Sequence, residues 1–141
     1  MRSKPLTVVE VEYVAYRAAR KFMEWDEPIP DFSERIPHIL ESCLKQPFVT
    51  FDKKNLYRGL SGKASILFYL MNKNHPFRNG NKRIAVTTLL YFLSINGKWL
   101  SLSNDALYLF AREVSGSESK EKDKVVSQIQ KFIGAHIVPL K

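Results

Sequence analysis

Apolar residues recur every three or four positions along most of this chain, which is the spacing of amphipathic helices. The pattern predicts five or six helices, near residues 8–22, 37–46, 60–73, 81–96, 104–114 and 123–136. Pro28 and Pro30 interrupt the pattern after the first of them, so residues 25–35 predict a loop. Pro37 is tolerated at the first position of a helix, whereas Pro47 and Pro139 predict the ends of the second and last helices.

The two helices predicted in the middle of the chain are the most apolar. Between residues 60 and 71, and again between 84 and 95, apolar side chains fall on more than one helical face. Helices of that kind are buried in the middle of a domain. We therefore expect them to form a central pair that holds residues 74–80 rigidly between them. Gly97 follows the second helix at the place where glycine commonly ends one.

Residues 48–57 carry a different signal. Phe48-Val49-Thr50-Phe51 is prone to form a strand, and Asp52-Lys53-Lys54-Asn55 resembles a turn. We therefore expect a short β-hairpin in an otherwise helical chain. With 141 residues, the chain is long enough for one domain, residues 1–141, of the all-α class.

Net charge narrows the range of partners. Lysine and arginine number 22 against 14 aspartate and glutamate residues, a formal net charge of +8. That surplus favours anionic partners in general, whether nucleic acid, nucleotide, phosphate or acidic protein. Nucleic acid is the least favoured of these, because the basic residues are scattered and form no known binding motif.

The remaining composition argues against secretion and against membrane association. Cys43 is the single cysteine, which excludes a disulfide within the chain and predicts a buried, reduced residue. Residues 84–97 form the longest uncharged stretch, which is too short to span a bilayer. Glu10 and Glu12 follow the basic N-terminus without a long apolar run, unlike a signal peptide. We therefore expect a cytoplasmic protein that does not bind membranes.

The histidines and tryptophans outside the central loop are interpreted without a catalytic role. His38 and His136 lie on predicted helices and are interpreted as structural residues. Trp25 and Trp99 are interpreted as core or interface anchors.

The loop between the central helices carries the strongest chemical signal. Its second half starts the next helix, and the unpaired N–H groups at a helix N-terminus bind anions readily. Gly80 allows the backbone to approach a phosphate closely, and Asn81 is a candidate helix cap. Lys82 and Arg83 oppose the helix dipole in the first turn, a cost that a bound anion would reverse. The sequence therefore predicts an anion site here.

His75 stands just before this predicted anion site. Its pKa lies near neutrality in ordinary surroundings, so it is a candidate general base for a hydroxyl nucleophile. Phe77 is expected to pack inward and anchor the loop. Taken singly, a histidine before a proline is usually a loop residue and a basic turn is usually solvated. The nine residues 75–83, however, occur together between two core helices, and this combination favours a functional site.

Residues 75–83, His-Pro-Phe-Arg-Asn-Gly-Asn-Lys-Arg, resemble the Fic motif, His-Pro-Phe-x-(Asp/Glu)-Gly-Asn-x-Arg. The resemblance is to the Fic/Doc family, covers about residues 33–115 and is greatest to the short death-on-curing (Doc) toxins. Its flanking parts are residues 40–48, 56–57, 73–77 and 91–97. The resemblance implies an all-α, Fic-type helical domain with a short β-hairpin flap.

The resemblance also implies an activity. Family members transfer part of a nucleoside triphosphate to a side-chain hydroxyl of a protein, and most Fic enzymes move AMP. Doc instead phosphorylates a threonine of elongation factor Tu and is neutralised by the antitoxin Phd. By resemblance we expect ATP or another nucleoside triphosphate and Mg²⁺ as cofactors. The expected partners are a protein substrate, with elongation factor Tu as a candidate, and a Phd-like antitoxin.

Individual roles carry over by position in the motif. His75 resembles the catalytic base. The residues that resemble the nucleotide- and phosphate-binding segment are Arg78, Gly80, Asn81, Lys82 and Arg83. Residues 48–57 resemble the flap that holds the target segment in extended form, and the expected target-binding residues are Val49, Thr50, Phe51 and Asp52.

Three positions differ from the usual pattern of the family, and they determine the expected subclass and the expected catalytic competence. Lys82 stands where AMP-transferring members usually have glycine, and Val86 stands where they usually have a second arginine. Both favour Doc-like phosphoryl transfer over AMP transfer, which remains the alternative. Asn79 replaces the acidic Mg²⁺ ligand and brings no negative charge, so we expect weaker metal binding. A non-catalytic protein that binds a nucleotide or an antitoxin is therefore a further alternative.

Overall fold

The computed structural model of the protein describes residues 3–22 and 29–141, apart from the side chain of Phe22. Trp25, Pro28 and the start of the predicted loop at 25–35 lie outside the described residues. Six helices are present in the described part, which confirms the predicted all-α class. They are α1, in three consecutive stretches Val8–Glu10, Val11–Tyr16 and Arg17–Phe22, then α2 Pro37–Lys45, α3 Gly59–Lys73, α4 Asn81–Ile95, α5 Asn104–Ser115 and α6 Lys122–His136. Short 3₁₀ turns cover Phe32–Glu34, Gln46–Phe48 and Ser119–Glu121.

Helices α3 and α4 form the centre of the fold, as predicted. Most side chains of both are buried, and the two helices pack directly against each other. Helix α6 covers α3, while α5 and α1 cover α4. The loop of residues 74–80 therefore connects the two most buried helices of the protein.

The predicted hairpin is confirmed, with a shift in its turn. Strands β1, Thr50–Phe51, and β2, Lys54–Asn55, pair antiparallel with Thr50 opposite Asn55. Asp52 and Lys53 alone form the turn, with left-handed φ values of 51° and 64°, as in the two-residue turns that match strand twist. The prediction of a four-residue turn was wrong, because Lys54 and Asn55 pair back onto β1.

A second strand pair joins distant parts of the chain and was not predicted. Strands β3, Lys98–Leu100, and β4, Ile137–Pro139, pair antiparallel, with Trp99 opposite Val138. Helix α6 therefore ends at His136, three residues before the proline that was expected to stop it. The competing interaction is the β3 ladder, which satisfies the backbone groups of residues 137–139.

The middle stretch of α1, Val11–Tyr16, is π-helical. The hydroxyl of Thr87 on α4 donates a hydrogen bond of 2.7 Å to the carbonyl of Ala15. A side chain that inserts at a helix backbone is a common cause of such local widening. The contact fixes α1 against α4 about two turns after the loop at residues 74–80.

Two predictions about the bulk of the protein can be compared with the fold. Cys43 is fully buried with a free thiol, as expected, and burial raises its pKa to about 12. In residues 3–22 and 29–141, no helix combines the length and the apolar character that crossing a membrane requires.

Candidate functional site

The loop between α3 and α4 is anchored from below by an aromatic cluster. Phe77 is 1% exposed, which confirms that it packs inward. Its ring centroid lies 6.1 Å from that of Tyr16 and 5.7 Å from that of Phe32. The Tyr16 hydroxyl also donates to the carbonyl of Pro30. The loop is therefore tied to α1 and to the 3₁₀ turn that follows it.

Asn81 holds the loop backbone rather than capping the helix. Its Oδ1 accepts the N–H of Phe77 at 3.0 Å, and its Nδ2 donates to the Phe77 carbonyl at 2.7 Å. The N-cap position belongs to Gly80, and no side-chain cap of α4 is found among the residues that the structure describes. The prediction of Asn81 as the cap was wrong because both of its polar atoms are committed to Phe77. A further backbone bond of 2.8 Å runs from the Ile36 N–H to the Pro76 carbonyl.

Gly80 adopts a conformation that favours glycine and is closely packed. Its φ is +75°, and a Cβ built there would lie 2.8 Å from Cγ1 of Ile29. The position thus requires glycine for the left-handed backbone and for the approach of Ile29. Close approach of a phosphate at the same residue stays a prediction.

His75 is exposed at the start of the loop, with a left-handed φ of 50°. A non-glycine residue held in that region costs about 1 kcal/mol or more, and such strain persists only where surrounding contacts enforce it. The His75 Nδ1 lies 3.5 Å from Nδ2 of Asn81. An amide nitrogen can only donate, so Nδ1 is the acceptor where this contact forms a hydrogen bond.

Positive side chains surround the start of α4. Lys82 is half-buried and Arg83 is 4% exposed, both in the first turn of the helix, while Arg78 in the loop is exposed. The structure thus places Arg78, Gly80, Lys82 and Arg83 within six consecutive residues at the N-terminal end of a 15-residue helix. Full charges and the helix dipole have the same sign there, which is the arrangement that an anion stabilises.

The loop does not form a Mg²⁺ site of its own. Asn79 is half-buried and offers one amide oxygen, next to the positive charge of Arg78. Within the described ranges, no three His, Cys, Asp or Glu side chains lie close enough together to hold a metal ion. Mg²⁺ is usually held by one or two carboxylates together with substrate phosphates. The described residues therefore do not fit a preformed metal centre, and binding at Asn79 stays a prediction.

The hairpin lies at the other end of α3 from the loop. Val49, Thr50, Phe51 and Asp52 precede the N-terminus of that helix, whereas His75 follows its C-terminus. A helix of 15 residues is about 22 Å long. No hydrogen bond between described residues joins the hairpin to residues 74–79. Helix α3 therefore separates the hairpin from the loop along the chain. Phe51 in the hairpin is 78% exposed.

A cavity beside the aromatic cluster adds residues that the sequence did not indicate. It has a volume of about 400 Å³ and is lined by Tyr16 and Phe32, which both contact Phe77. Charged residues of both signs line the rest of it, namely Arg17, Arg20, Lys21, Glu12 and Asp31. The Arg20 guanidinium donates to the Tyr16 hydroxyl at 3.3 Å. The available signal was a pair of arginines at i, i+3 on the first helix, which in isolation resembles a solvated face.

The two histidines and the tryptophan that were interpreted as structural differ in exposure. His38 is exposed, and His136 is half-buried, with its Nδ1 2.9 Å from the Phe132 carbonyl. Trp99 is 39% exposed, so it is a surface residue rather than a core anchor.

Comparison with known proteins agrees with this geometry. The model of the Fic/DOC family matches residues 10–93, more than half of the chain's 141 residues. The matched segment contains the hairpin, the loop with His75 and the first four helices, apart from the start of α1 and the last two residues of α4. The searches of curated proteins and of solved structures found no match. The chain therefore belongs to the Fic/DOC family, which consists of nucleotidyl and phosphoryl transferases that modify proteins.

Proposed function

We propose that this protein is a Doc-like toxin that transfers the γ-phosphoryl group of ATP, or of another nucleoside triphosphate, to a hydroxyl of a protein. A translation factor such as elongation factor Tu is the proposed substrate, and a Phd-like antitoxin the proposed inhibitor. The proposal rests on Lys82 and Val86, where AMP-transferring members usually have glycine and arginine.

The surroundings of Val86 are the observation that carries the proposal. Its side chain is completely buried in the core, so this position offers no cation to a γ-phosphate. Lys82, by contrast, is half-buried in the first turn of α4. The cations of this site therefore cluster at the helix end itself. That distribution favours a nucleotide that places the phosphate to be transferred at the N-terminus of α4. Its remaining phosphates would then lie away from this helix end.

The start of α4 supports anion binding on energetic grounds. A cation at a helix N-terminus costs about 0.3–1 kcal/mol by opposing the dipole, and two stand in the first turn here. A bound phosphate would be attracted by the helix dipole and by both charges, and it would accept hydrogen bonds from backbone N–H groups. The nearby cavity, which is lined by Arg17 and Arg20 but also by Glu12 and Asp31, offers room for the rest of a nucleotide.

The proposed step balances as an in-line displacement. The hydroxyl oxygen of the target attacks the γ-phosphorus, and the bond from that phosphorus to the β,γ-bridging oxygen breaks. The imidazole of His75 accepts the hydroxyl proton, and the nucleoside diphosphate leaves. In AMP transfer the same oxygen would attack the α-phosphorus and pyrophosphate would leave. The two reactions therefore differ in which phosphorus the target retains.

Two radiolabels distinguish these reactions. The protein is incubated with bacterial lysate and ATP labelled at either the α or the γ phosphorus, and labelled proteins are separated on a gel. We expect a protein labelled from γ-labelled ATP and none from α-labelled ATP. His75→Ala is the matched control and should lose the label while its thermal unfolding is unchanged, because His75 is exposed. Label from the α position would replace phosphoryl transfer with AMP transfer.

The lack of an acid at position 79 favours a second candidate, a nucleotide-binding protein without transfer activity. In that case ATP would bind, as read by calorimetry, while neither label entered any protein. Asn79→Asp separates the two candidates further. In an active enzyme limited by metal binding, it should raise the Mg²⁺-dependent rate of transfer.

A further inference from the structure

A buried lysine on α3 lies outside the predicted site. Lys63 is only 5% exposed, and its ammonium donates to the Tyr57 carbonyl at 2.6 Å. It also lies 5.7 Å from the centroid of the Phe48 ring. An ammonium has three N–H donors, so two remain without an acceptor among the described residues. Burying a cation is costly without an anionic partner, and burial lowers the pKa of Lys63.

No carboxylate compensates this charge within the described part of the chain. The ion pairs there join Lys120 to Glu118 and Lys124 to Glu121, on the 3₁₀ turn and α6. A buried cation whose hydrogen bonding is only partly satisfied therefore faces the protein surface near the hairpin. The remaining N–H donors of this ammonium are available to a ligand in front of it.

A cavity opens directly onto Lys63. Its volume is about 490 Å³, compared with about 30 Å³ for a water molecule in the liquid. Lys53 in the hairpin turn supplies a second cation, and none of the lining residues in the described part of the chain is acidic. Thr50 and Asn55, which are paired across the hairpin, both line it. One face of the hairpin therefore covers the cavity with hydrogen-bonding side chains.

The N-terminus of α3 adds to the positive potential. Gly59, its first residue, lines the same cavity, and the N-cap residue Arg58 makes no capping hydrogen bond through its side chain. A Cβ built on Gly59 would meet no atom within 4 Å, so the space in front of the helix end is open. The dipole of a 15-residue helix and two lysines thus act on one pocket.

We infer that this pocket binds a carboxylate of an acidic residue in the protein substrate, separately from the phosphate site at residues 75–83. A peptide source fits better than a free oxyanion because, within residues 3–22 and 29–141, each hairpin strand pairs only with the other, which leaves an edge to which an extended segment can add. Side chains alternate along such a segment, so one set would point toward the face that carries Thr50 and Asn55. The inference rests on the proposed transfer to a protein, since it names the chemistry of the substrate.

Binding is tested without catalysis, in the His75→Ala protein and without nucleotide. The probe is the peptide acetyl-Gly-Glu-Gly-amide, followed through the NMR amide shifts of Thr50, Asn55 and Gly59. Its matched controls are the peptide with glutamine in place of glutamate, and inorganic phosphate. We expect saturable shifts with the glutamate peptide and none with the glutamine peptide. A failure of transfer activity leaves this result unaffected, so the two proposals fail independently.

Two lysine substitutions localise the effect. Lys63→Met should weaken binding of the glutamate peptide by about tenfold or more, the value of one charge-assisted hydrogen bond. Lys131→Met removes an exposed lysine of α6 that does not line the pocket, and should leave binding unchanged. Absence of shifts with the glutamate peptide, or shifts with phosphate alone, would overturn the carboxylate site. Equal binding by the wild type and Lys63→Met would do so as well.

Discussion

Gly80→Ala is the substitution in the loop that we expect to destabilise the fold for two separate reasons. The first is conformational, since an alanine at φ +75° occupies the left-handed region. The second is steric, since the new methyl group would lie 2.8 Å from Cγ1 and 3.4 Å from Cα of Ile29. Optimal carbon–carbon contacts are about 3.5–4.0 Å, so Ile29 or the loop must move.

The two penalties can be separated with a matched glycine. Gly97 has φ +80° at the end of α4, and a Cβ there would meet nothing within 4 Å. Gly97→Ala should therefore cost only the left-handed conformation, about 1–2 kcal/mol. Gly80→Ala should cost a further 1–3 kcal/mol or so, typical of overpacking. The difference between the two variants measures the contact with Ile29.

Urea unfolding followed by circular dichroism gives both free energies of unfolding. The double variant Gly80→Ala/Ile29→Ala should recover part of the steric cost and none of the conformational cost. Nucleotide binding by Gly80→Ala should fall as well, because the loop backbone shifts at the start of α4. Equal destabilisation by Gly80→Ala and Gly97→Ala would refute the packing of Ile29 against the loop.

Other predictions follow from buried groups. Because burial raises the pKa of Cys43 from 9.0 to about 12, its thiolate fraction falls about a thousandfold, and alkylation by iodoacetamide should occur only on unfolding. Lys63 has a folded-state pKa below its usual 10.5, so the unfolded chain binds its proton more tightly. Stability should therefore rise as pH increases toward 10.5, and Lys63→Met should remove that rise in urea titrations. Asn81→Ala removes both hydrogen bonds to the Phe77 backbone and should cost about 2–3 kcal/mol in the same titrations; a change under 0.5 kcal/mol or so would contradict its role.

Most of the fold was predictable because its signals are local. Each of α2 to α6 begins and ends within about two residues of the expected positions, since their apolar stripes are continuous and the polar, proline and glycine residues between them interrupt the pattern. The pairing of β3 with β4 was not predictable. Two three-residue strands separated by more than 35 residues leave no periodic signal, and Pro139 looks the same at a helix end as in a strand.

The functional residues were predictable as types but not in their contacts. The motif located His75, Gly80 and the cations of α4, because their order in sequence is also their order around the helix start. From the sequence, Asn81 was an equally good candidate for the helix cap. Only the fold shows that both of its polar side-chain atoms hydrogen-bond to the backbone of Phe77. Lys63 gave no signal, because burial of a lysine depends on the hairpin that folds over it.

The contacts around the loop also indicate how a strained His75 is maintained. Asn81 fixes the backbone two residues after His75, the Ile36 N–H holds the carbonyl of Pro76, and Phe77 is enclosed by aromatic rings. These contacts come from separate elements, so losing one leaves the others in place. A general base contributes most when it needs no reorganisation at the moment of proton transfer. For the proposed general base, the strained backbone at His75 is therefore the cost of holding that residue at the end of the loop, and the buried loop contacts offset this cost.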